Sequence, residues 1–231
     1  MLWKNTVSPE LLTMLISIQA NPLFKDYMLA GGTALSLQLG HRQSIDIDLF
    51  TINKQNNQIL LKYFQENYDN LEILFNDTGI LQLVVNNIKI DMVHIKGTLL
   101  EIPKMVDGII LFGTKDIAAM KLMAITDRKT PKDYIDIAYL LQDIPLETMF
   151  ALYKQKYGFN DIANVKKALA EVNHVNPYDW QKVKMIKDDL FISDVPFIIK
   201  EELLKYNRKY GIGKKSLFDL FRKNKYPDHA H

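Results

Sequence analysis

Residues 28–50 read MLAGGTALSLQLGHRQSIDIDLF. The last six letters alternate in the manner of a β-strand, and this alternation places Asp46 and Asp48 on one face. Two acids separated by one residue on a strand lie about 6.6 Å apart along the chain. At that spacing both carboxylates can share a divalent metal ion through their inner oxygens. The stretch therefore predicts a metal-binding pair of carboxylates.

A glycine pair precedes this strand. The apolar residues 28–30 lead into Gly31 and Gly32, and helix-compatible sequence follows at 34–39. Glycines before a helix allow the backbone to approach a phosphate group and present free N–H groups to it. Taken alone, a glycine pair more often marks a turn, and an isolated pair of acids often marks a solvated strand end. Together, within so short a stretch, they predict a metal-dependent enzyme that handles nucleotides.

The composition excludes several classes of protein. The 231 residues include 29 Lys+Arg and 27 Asp+Glu, which gives a formal net charge of +2 and argues against a surface that binds polyanions all over. Because Cys is absent, there is no disulfide framework, thiolate zinc site or cysteine nucleophile. The first residues lack a signal-peptide core, and no apolar run approaches the roughly 18 residues of a membrane span. We expect a soluble, cytoplasmic protein.

The rest of the chain divides into a mixed half and a helical half. Ser8 and Pro9 form a helix-start signal, Asn86-Asn87 predicts a tight hairpin, and Thr114 is the predicted N-cap of the first helix of the second half. The predicted helices cover residues 9–20, 34–39, 58–68, 115–128, 134–141, 146–157, 161–172 and 196–210, and the predicted strands 28–30, 45–50, 71–75, 80–85, 88–95 and 109–112. This pattern predicts an α/β (α+β) core at 1–113, with a mixed sheet and flanking helices, followed by an all-helical domain at 114–231.

A third acid lies on a later strand. In the strand predicted at 88–95, Lys89, Asp91 and Val93 share one face. If this strand lies beside residues 45–50, Asp91 can complete a three-carboxylate cluster. Three aspartates at one place would repel one another strongly without a cation.

Four segments together resemble the AbiEii/AbiGii-type nucleotidyltransferases, which are toxins of bacterial toxin–antitoxin and phage abortive-infection systems on the DNA-polymerase-β-like nucleotidyltransferase fold. Residues 31–35 (GGTAL) and 42–50 (RQSIDIDLF) resemble the first motif of that family, and residues 90–93 (IDMV) its third-carboxylate strand. Residues 115–136, with the pattern KD-x4-K-x2-A-x3-R-x4-D-x2-D, are similar to its helical motifs. The resemblance implies a nucleotidyltransferase-fold sheet in the first half and a second half that completes the active-site cleft.

The resemblance also implies roles for individual residues. Mg²⁺ would be held by Asp46, Asp48 and Asp91, and Asp91 would serve either as the third ligand or as the base that takes the proton of the attacking hydroxyl. The phosphates of the nucleotide would be contacted by Gly31, Gly32 and Thr33, and Lys121 would supply a positive charge to the triphosphate.

The remaining motif residues have two interpretations each. Arg42 and Ser44 either orient the turn and the carboxylates or contact the ligand directly. Arg128 either binds phosphate or complements the end of its helix. Asp133 either belongs to the site or closes a capping box with Thr130. Asp136 has no capping role and is predicted to hold Lys121 or Arg128 in position. Lys121 itself could instead lie on a solvated helix face.

The function implied is transfer of a nucleoside monophosphate from an NTP to an acceptor, with release of pyrophosphate. RNA is the first candidate acceptor, in particular a tRNA 3′ end, and a protein hydroxyl is the second. A cognate antitoxin is the expected protein partner. A non-catalytic nucleotide-binding regulatory module on the same fold is disfavoured because Asp46, Asp48, Asp91 and Lys121 are all present. The basic residues near the C-terminus are either a solvated tail or an RNA-binding edge: Lys214, Lys215, Arg222, Lys223 and Lys225.

Overall fold

The computed structural model describes residues 1–211, where a seven-stranded mixed sheet is flanked by helices. The strands are β1 (Met28–Leu29), β2 (Asp46–Thr51), β3 (Leu71–Asp77), β4 (Ile80–Val85), β5 (Ile88–His94), β6 (Lys104–Val106) and β7 (Ile109–Leu111). Their order across the sheet is β3-β4-β5-β2-β1-β7-β6. The predicted mixed sheet is confirmed. The basic C-terminal residues from Lys214 onward lie outside the described residues.

Helices make up most of the described chain after the sheet. They are α1 (Pro9–Ala20), α2 (Gly31–Leu39), α3 (Asn57–Asn67), α4 (Thr114–Asp127), α5 (Pro131–Leu140), α6 (Leu146–Tyr157), α7 (Ala163–Ala170), α8 (Pro177–Trp180) and α9 (Val195–Lys209). Between residues 1 and 211, no helix is both long enough and apolar enough to cross a membrane.

The centre of the sheet carries the first motif. Strand β2 pairs parallel with β5 on one side and antiparallel with β1 on the other. Ile47 and Leu49 of β2 are fully buried, as are Ile90 and Met92 of β5, so one face of these strands forms the core. The acidic residues alternate with these apolar ones and therefore share the opposite face.

Local signals placed most element boundaries within a few residues. The Ser8 hydroxyl accepts a hydrogen bond from Leu11 N at 3.1 Å, as expected of an N-cap. Asn86 and Asn87 have φ values of 49° and 64°, which is the left-handed conformation that a two-residue hairpin requires. Strand β6 was missed because it starts at a lysine and lacks a continuous apolar run like that of β7, and the four-residue α8 was missed as well.

The predicted cap of α4 is wrong. The N-cap residue is Gly113, and the Thr114 side chain makes no capping bond. A carboxylate from a distant loop takes over this function, because Glu101 Oε2 accepts a hydrogen bond from Lys115 N at 3.0 Å. Spacing along the chain could not reveal a cap that comes from 14 residues earlier.

The two halves share one hydrophobic core. Buried residues on both sides of Gly113 belong to a single cluster, which joins Leu29 and Ile47 of the sheet to Ile117 and Tyr134 of the helices. Elements up to β7 form the mixed half, and the described elements after it are helical. The division at residue 113 into two domains stays a prediction.

Candidate active site

The parallel pairing of β2 with β5 brings the acidic residues together. In this register Asp46 lies opposite Lys89, and Asp48 lies opposite Asp91. Because facing residues of neighbouring strands project to the same side of a sheet, three carboxylates and one ammonium group share this face. We call these four residues the acidic array. The sequence placed Lys89 on the same strand face as Asp91 but did not identify its role.

Two of the three carboxylates in the acidic array, those of Asp46 and Asp91, lie close to lysine side chains. Lys89 Nζ lies 2.6 Å from Asp91 Oδ2, whereas Asp91 Oδ1 is buried and has no hydrogen-bond partner. Lys132 Nζ, from α5, lies 3.7 Å from Asp46 Oδ2. The sequence did not single out Lys132, which reaches the array only because the first turn of α5 lies next to Asp46.

Asp48 is the central acid of the array. Burial raises the pKa of its carboxyl to about 6 from an ordinary value of 3.8, and the negative charges of Asp91 and Asp46 add to this rise. The charges of Lys121 and Lys89 act in the opposite direction. Asp48 thus carries a negative charge that the protein compensates only in part.

These carboxylates do not form a preformed metal cage. Across residues 1–211, no group of three or more His, Cys, Asp or Glu side chains is arranged to hold a metal ion. The predicted three-carboxylate cluster is therefore present as a shared face, while its outer members are turned towards lysines. The donors nevertheless suit Mg²⁺, which is commonly bound by one or two carboxylates together with substrate phosphates. The partly compensated charge of Asp48 and the partnerless Oδ1 of Asp91 also fit an additional cation.

The glycine pair lies directly against the acidic array. Gly31 has a φ of 65°, and a Cβ atom there would overlap the Asp48 carboxylate. A Cβ atom at Gly32 would overlap the guanidinium group of Arg42. Helix α2 begins at Gly31, earlier than predicted, and no side chain caps its N-terminus. Its first backbone N–H groups are therefore free of side-chain acceptors at a point next to Asp48.

Thr33 and Ser44 face inwards. Thr33 is fully buried, and its hydroxyl donates to the carbonyl oxygen of Asp46 and lies 2.8 Å from Ser44 Oγ. The implied contact between the Thr33 hydroxyl and a phosphate is therefore wrong for this structure, because that hydroxyl already connects α2 to β2. The Ser44 hydroxyl contacts that of Thr33, so Ser44 occupies an orienting position.

Asp136 is the centre of a buried ionic network. Its carboxylate accepts hydrogen bonds from Arg42 Nε at 2.7 Å and Nη2 at 2.8 Å, and it contacts Lys121 Nζ at 2.7 Å and His41 Nε2 at 2.8 Å. Burial alone would raise the pKa of Asp136, but the Arg42 and Lys121 charges hold it well below its usual range. Arg42 is itself buried, so its guanidinium group supports Gly32 from inside the protein.

His41 was not among the predicted site residues. It is fully buried, and burial lowers the pKa of its imidazole although the contact with Asp136 acts in the opposite direction. Its Nδ1 atom has no partner. A histidine next to the motif arginine was the only sequence signal, and its orientation depends on contacts with α5.

Asp133 binds two cations, Lys121 and Arg128. Its carboxylate contacts Lys121 Nζ at 2.8 Å and Arg128 Nε at 2.9 Å, and it accepts a bond from the Thr130 hydroxyl at 2.5 Å. The capping-box interpretation of Asp133 is wrong, because the Thr130 side chain makes no capping bond to the backbone of α5. Asp136 does hold Lys121, as the sequence suggested, whereas Arg128 is held by Asp133.

Lys121 is buried in this ionic network rather than on a solvated face. Its side chain is 5% exposed and lies between Asp133 and Asp136. Burial lowers the pKa of the ammonium group, but the two aspartates outweigh that effect and raise it. Lys121 is therefore a permanent positive charge in the wall of the site. The resemblance implied a lysine that is open to the triphosphate, whereas this side chain is buried.

Comparisons with known proteins agree with this geometry. Two crystal structures from Helicobacter pylori share the fold. One is JHP933, with a TM-score of 0.54 and 17% identity over 93% of this chain and 99% of that one. The other is described as a candidate nucleotidyltransferase, with a TM-score of 0.56 and 15% identity over 90% and 98%. A protein of Aquifex aeolicus (strain VF5) that has not been characterised is 32% identical over 172 residues, which are 69% of this chain and 83% of that protein.

A mixed sheet that carries strand carboxylates beside an uncapped glycine turn fits a nucleotidyltransferase. The profile of the family described as "Nucleotidyl transferase AbiEii toxin, Type IV TA system" matches residues 14–194. The chain belongs to this family, which confirms the resemblance found in the sequence.

Proposed function

We propose that this nucleotidyltransferase moves a nucleoside monophosphate from an NTP to a hydroxyl group of RNA, with a tRNA 3′ end as the first candidate. Pyrophosphate is the leaving group, and Mg²⁺ is the cofactor. The observation that carries the proposal is the acidic array, which lies against the free N-terminus of α2. Family membership supports a toxin that is paired with an antitoxin.

Mg²⁺ would be held by Asp46, Asp48 and Asp91. When bound, it neutralises negative charge on the phosphates and on the oxygens that react. The chain's own residues prepare this site. Arg42 and Gly32 set the path of the turn, and Gly31 allows Asp48 to approach it closely.

The phosphates would lie at the N-terminus of α2. The backbone N–H groups of its first turn have no side-chain acceptor, and the helix dipole favours negative charge there. Lys121 and Arg128 add positive charge near this position, since the charge of each interacts with that of Asp48 and each contacts Asp133. Asp133 and Asp136 act as positioning residues, because they bind these cations rather than the nucleotide.

The acceptor hydroxyl would lose its proton to a carboxylate of the acidic array. Asp91 takes this proton if it is not the third metal ligand, and its Oδ2 atom is the one within reach, because Oδ1 is buried. Oδ2 is held by Lys89.

A basic groove beside Asp46 supports an RNA acceptor. It has a volume of about 180 Å³, and Lys132, Lys182 and Lys184 contribute to its lining. The groove forms where residues 183–187 pack against the segment before β2, with Gln43 N donating to Lys184 O at 2.8 Å. Three lysines next to the reacting carboxylates suit the phosphates of a nucleic acid.

The test is transfer of label from each NTP in turn, labelled at the α-phosphate, to total RNA in the presence of Mg²⁺. We expect labelled RNA with the wild-type protein and with Asp69→Asn, an exposed control, but none with Asp48→Asn or with a chelator. Label on protein alone would favour the second acceptor class. Absence of label from every acceptor with all four NTPs would favour a non-catalytic nucleotide-binding module and contradict the proposal.

A further inference from the structure

Lys89 is the one cation inside the acidic array. It lies opposite Asp46 in the register of β2 and β5, and its ammonium group contacts Asp91 Oδ2 at 2.6 Å. Its charge also lowers the pKa of Asp48. Lys89 belongs neither to the glycine turn nor to the ionic network around Lys121.

The contact with Asp91 blocks the oxygen that an entering ion can reach. Asp91 Oδ1 is buried, so Oδ2 is the oxygen directed towards the open side of the array, and Lys89 covers it. A divalent cation at the array would have to compete with Lys89 for Asp91 Oδ2, and the positive charge of Lys89 would repel it. The Lys89 side chain is 39% exposed, so it is free to leave Asp91 without opening the core.

We propose that Lys89 exchanges between Asp91 and the nucleotide phosphates, and thereby couples metal binding to nucleotide binding. Without ligand, its ammonium group compensates the charge of the array and opposes a metal ion. When the metal and the triphosphate enter together, Lys89 would move from Asp91 Oδ2 to a phosphate oxygen. This inference rests on the proposed metal-dependent function but not on the identity of the acceptor.

Two binding measurements separate this exchange from a structural role. The first is titration of the protein with Mn²⁺ alone, and the second is titration with inorganic tripolyphosphate at saturating Mn²⁺, both by calorimetry. For Lys89→Met we expect Mn²⁺ to bind about tenfold more tightly, because a competing charge is removed. We expect tripolyphosphate to bind about tenfold more weakly, because a charge-assisted contact is lost.

Three control variants make the result interpretable. Lys89→Arg keeps the charge and should stay within about threefold of wild type in both titrations. Lys62→Met removes a surface lysine that is paired with Glu66 on α3, and it should change neither. Asp48→Asn should weaken Mn²⁺ binding if the array is the metal site. Melting temperatures show whether each variant is folded.

Opposite changes in the two affinities of Lys89→Met would support the exchange, and a loss of both would make Lys89 a structural residue. An unchanged Mn²⁺ affinity would overturn the inference while leaving the proposed function intact, provided that Asp48→Asn still weakens Mn²⁺ binding. If neither the wild type nor Lys89→Met binds Mn²⁺, the inference is wrong, and the metal dependence of label transfer to RNA decides the proposed function separately.

Discussion

Replacing Asp48 by asparagine separates its catalytic role from its contribution to stability. No lysine or arginine of the described chain forms an ion pair with Asp48, and its carboxylate lies beside those of Asp46 and Asp91. Asparagine has nearly the same shape but carries no charge. The substitution should therefore abolish transfer and, without metal, stabilise the fold.

The size of this stabilisation follows from the pKa of Asp48. The value rises from 3.8 to about 6 on folding, and each pKa unit corresponds to about 1.4 kcal/mol, so the charged form costs about 3 kcal/mol. Because the folded protein binds this proton more tightly than the unfolded chain, stability falls as the pH rises between these two values. The full cost is present above about pH 6, and about half of it remains at pH 5. Partial exposure of Asp48 reduces the expected gain to about 1–3 kcal/mol.

The assay is thermal unfolding in a chelator at pH 8 and pH 5. For a chain of this length the gain corresponds to an increase in melting temperature of about 2–12 °C at pH 8, with a smaller increase at pH 5. Mg²⁺ should then stabilise the wild type but not Asp48→Asn. Asp69→Asn serves as the control, because Asp69 is exposed and distant from the array in sequence. A lower melting temperature for Asp48→Asn at pH 8 would mean that Asp48 is a structural residue.

Three further substitutions test the surroundings of the site. Asp136→Asn should lower the free energy of unfolding in urea by about 3–5 kcal/mol, because it leaves buried cations without compensation; a loss below about 1 kcal/mol would contradict the ionic network. Gly31→Ala should cost about 1–3 kcal/mol and abolish transfer, since the left-handed φ and the contact with Asp48 exclude a side chain; an alanine variant with wild-type melting and activity would refute this. Asn87→Ala should lower stability by about 1–2 kcal/mol, whereas Asn87→Gly should retain it, and equal melting temperatures would show that the hairpin does not need its left-handed turn.

Short-range patterns were sufficient for most of the fold. Alternation identified the strand that carries Asp46 and Asp48, and helical spacing identified most of the longer helices of the second half. These signals depend on neighbours within one or two turns, so the sequence contains them in full. Caps and short elements were less accessible. The cap of α4 comes from Glu101 in a distant loop, and β6 starts at a lysine and lacks the apolar run that marks the equally short β7.

The sequence also identified the charged residues of the site, including Lys121, Asp133 and Asp136. It identified the contact of Asp136 with Lys121 but not the contacts of Asp136 with Arg42 and His41. Arg42 and Asp136 are separated by 94 residues, and their contact depends on how α5 packs against the segment that precedes β2. Spacing along one helix shows which residues share a face but not whether that face meets solvent or a second charge.

The sequence by itself determined the order of strand, glycine turn, helix and acidic strand, because each of these features is encoded in adjacent residues. Only the tertiary structure decided which charges oppose one another. The pairing of β2 with β5 placed Lys89 among the carboxylates, and the packing of α5 enclosed Lys121 between two aspartates. Electrostatic interactions act through space and strengthen with burial, so their partners are set by the folded arrangement rather than by distance along the chain.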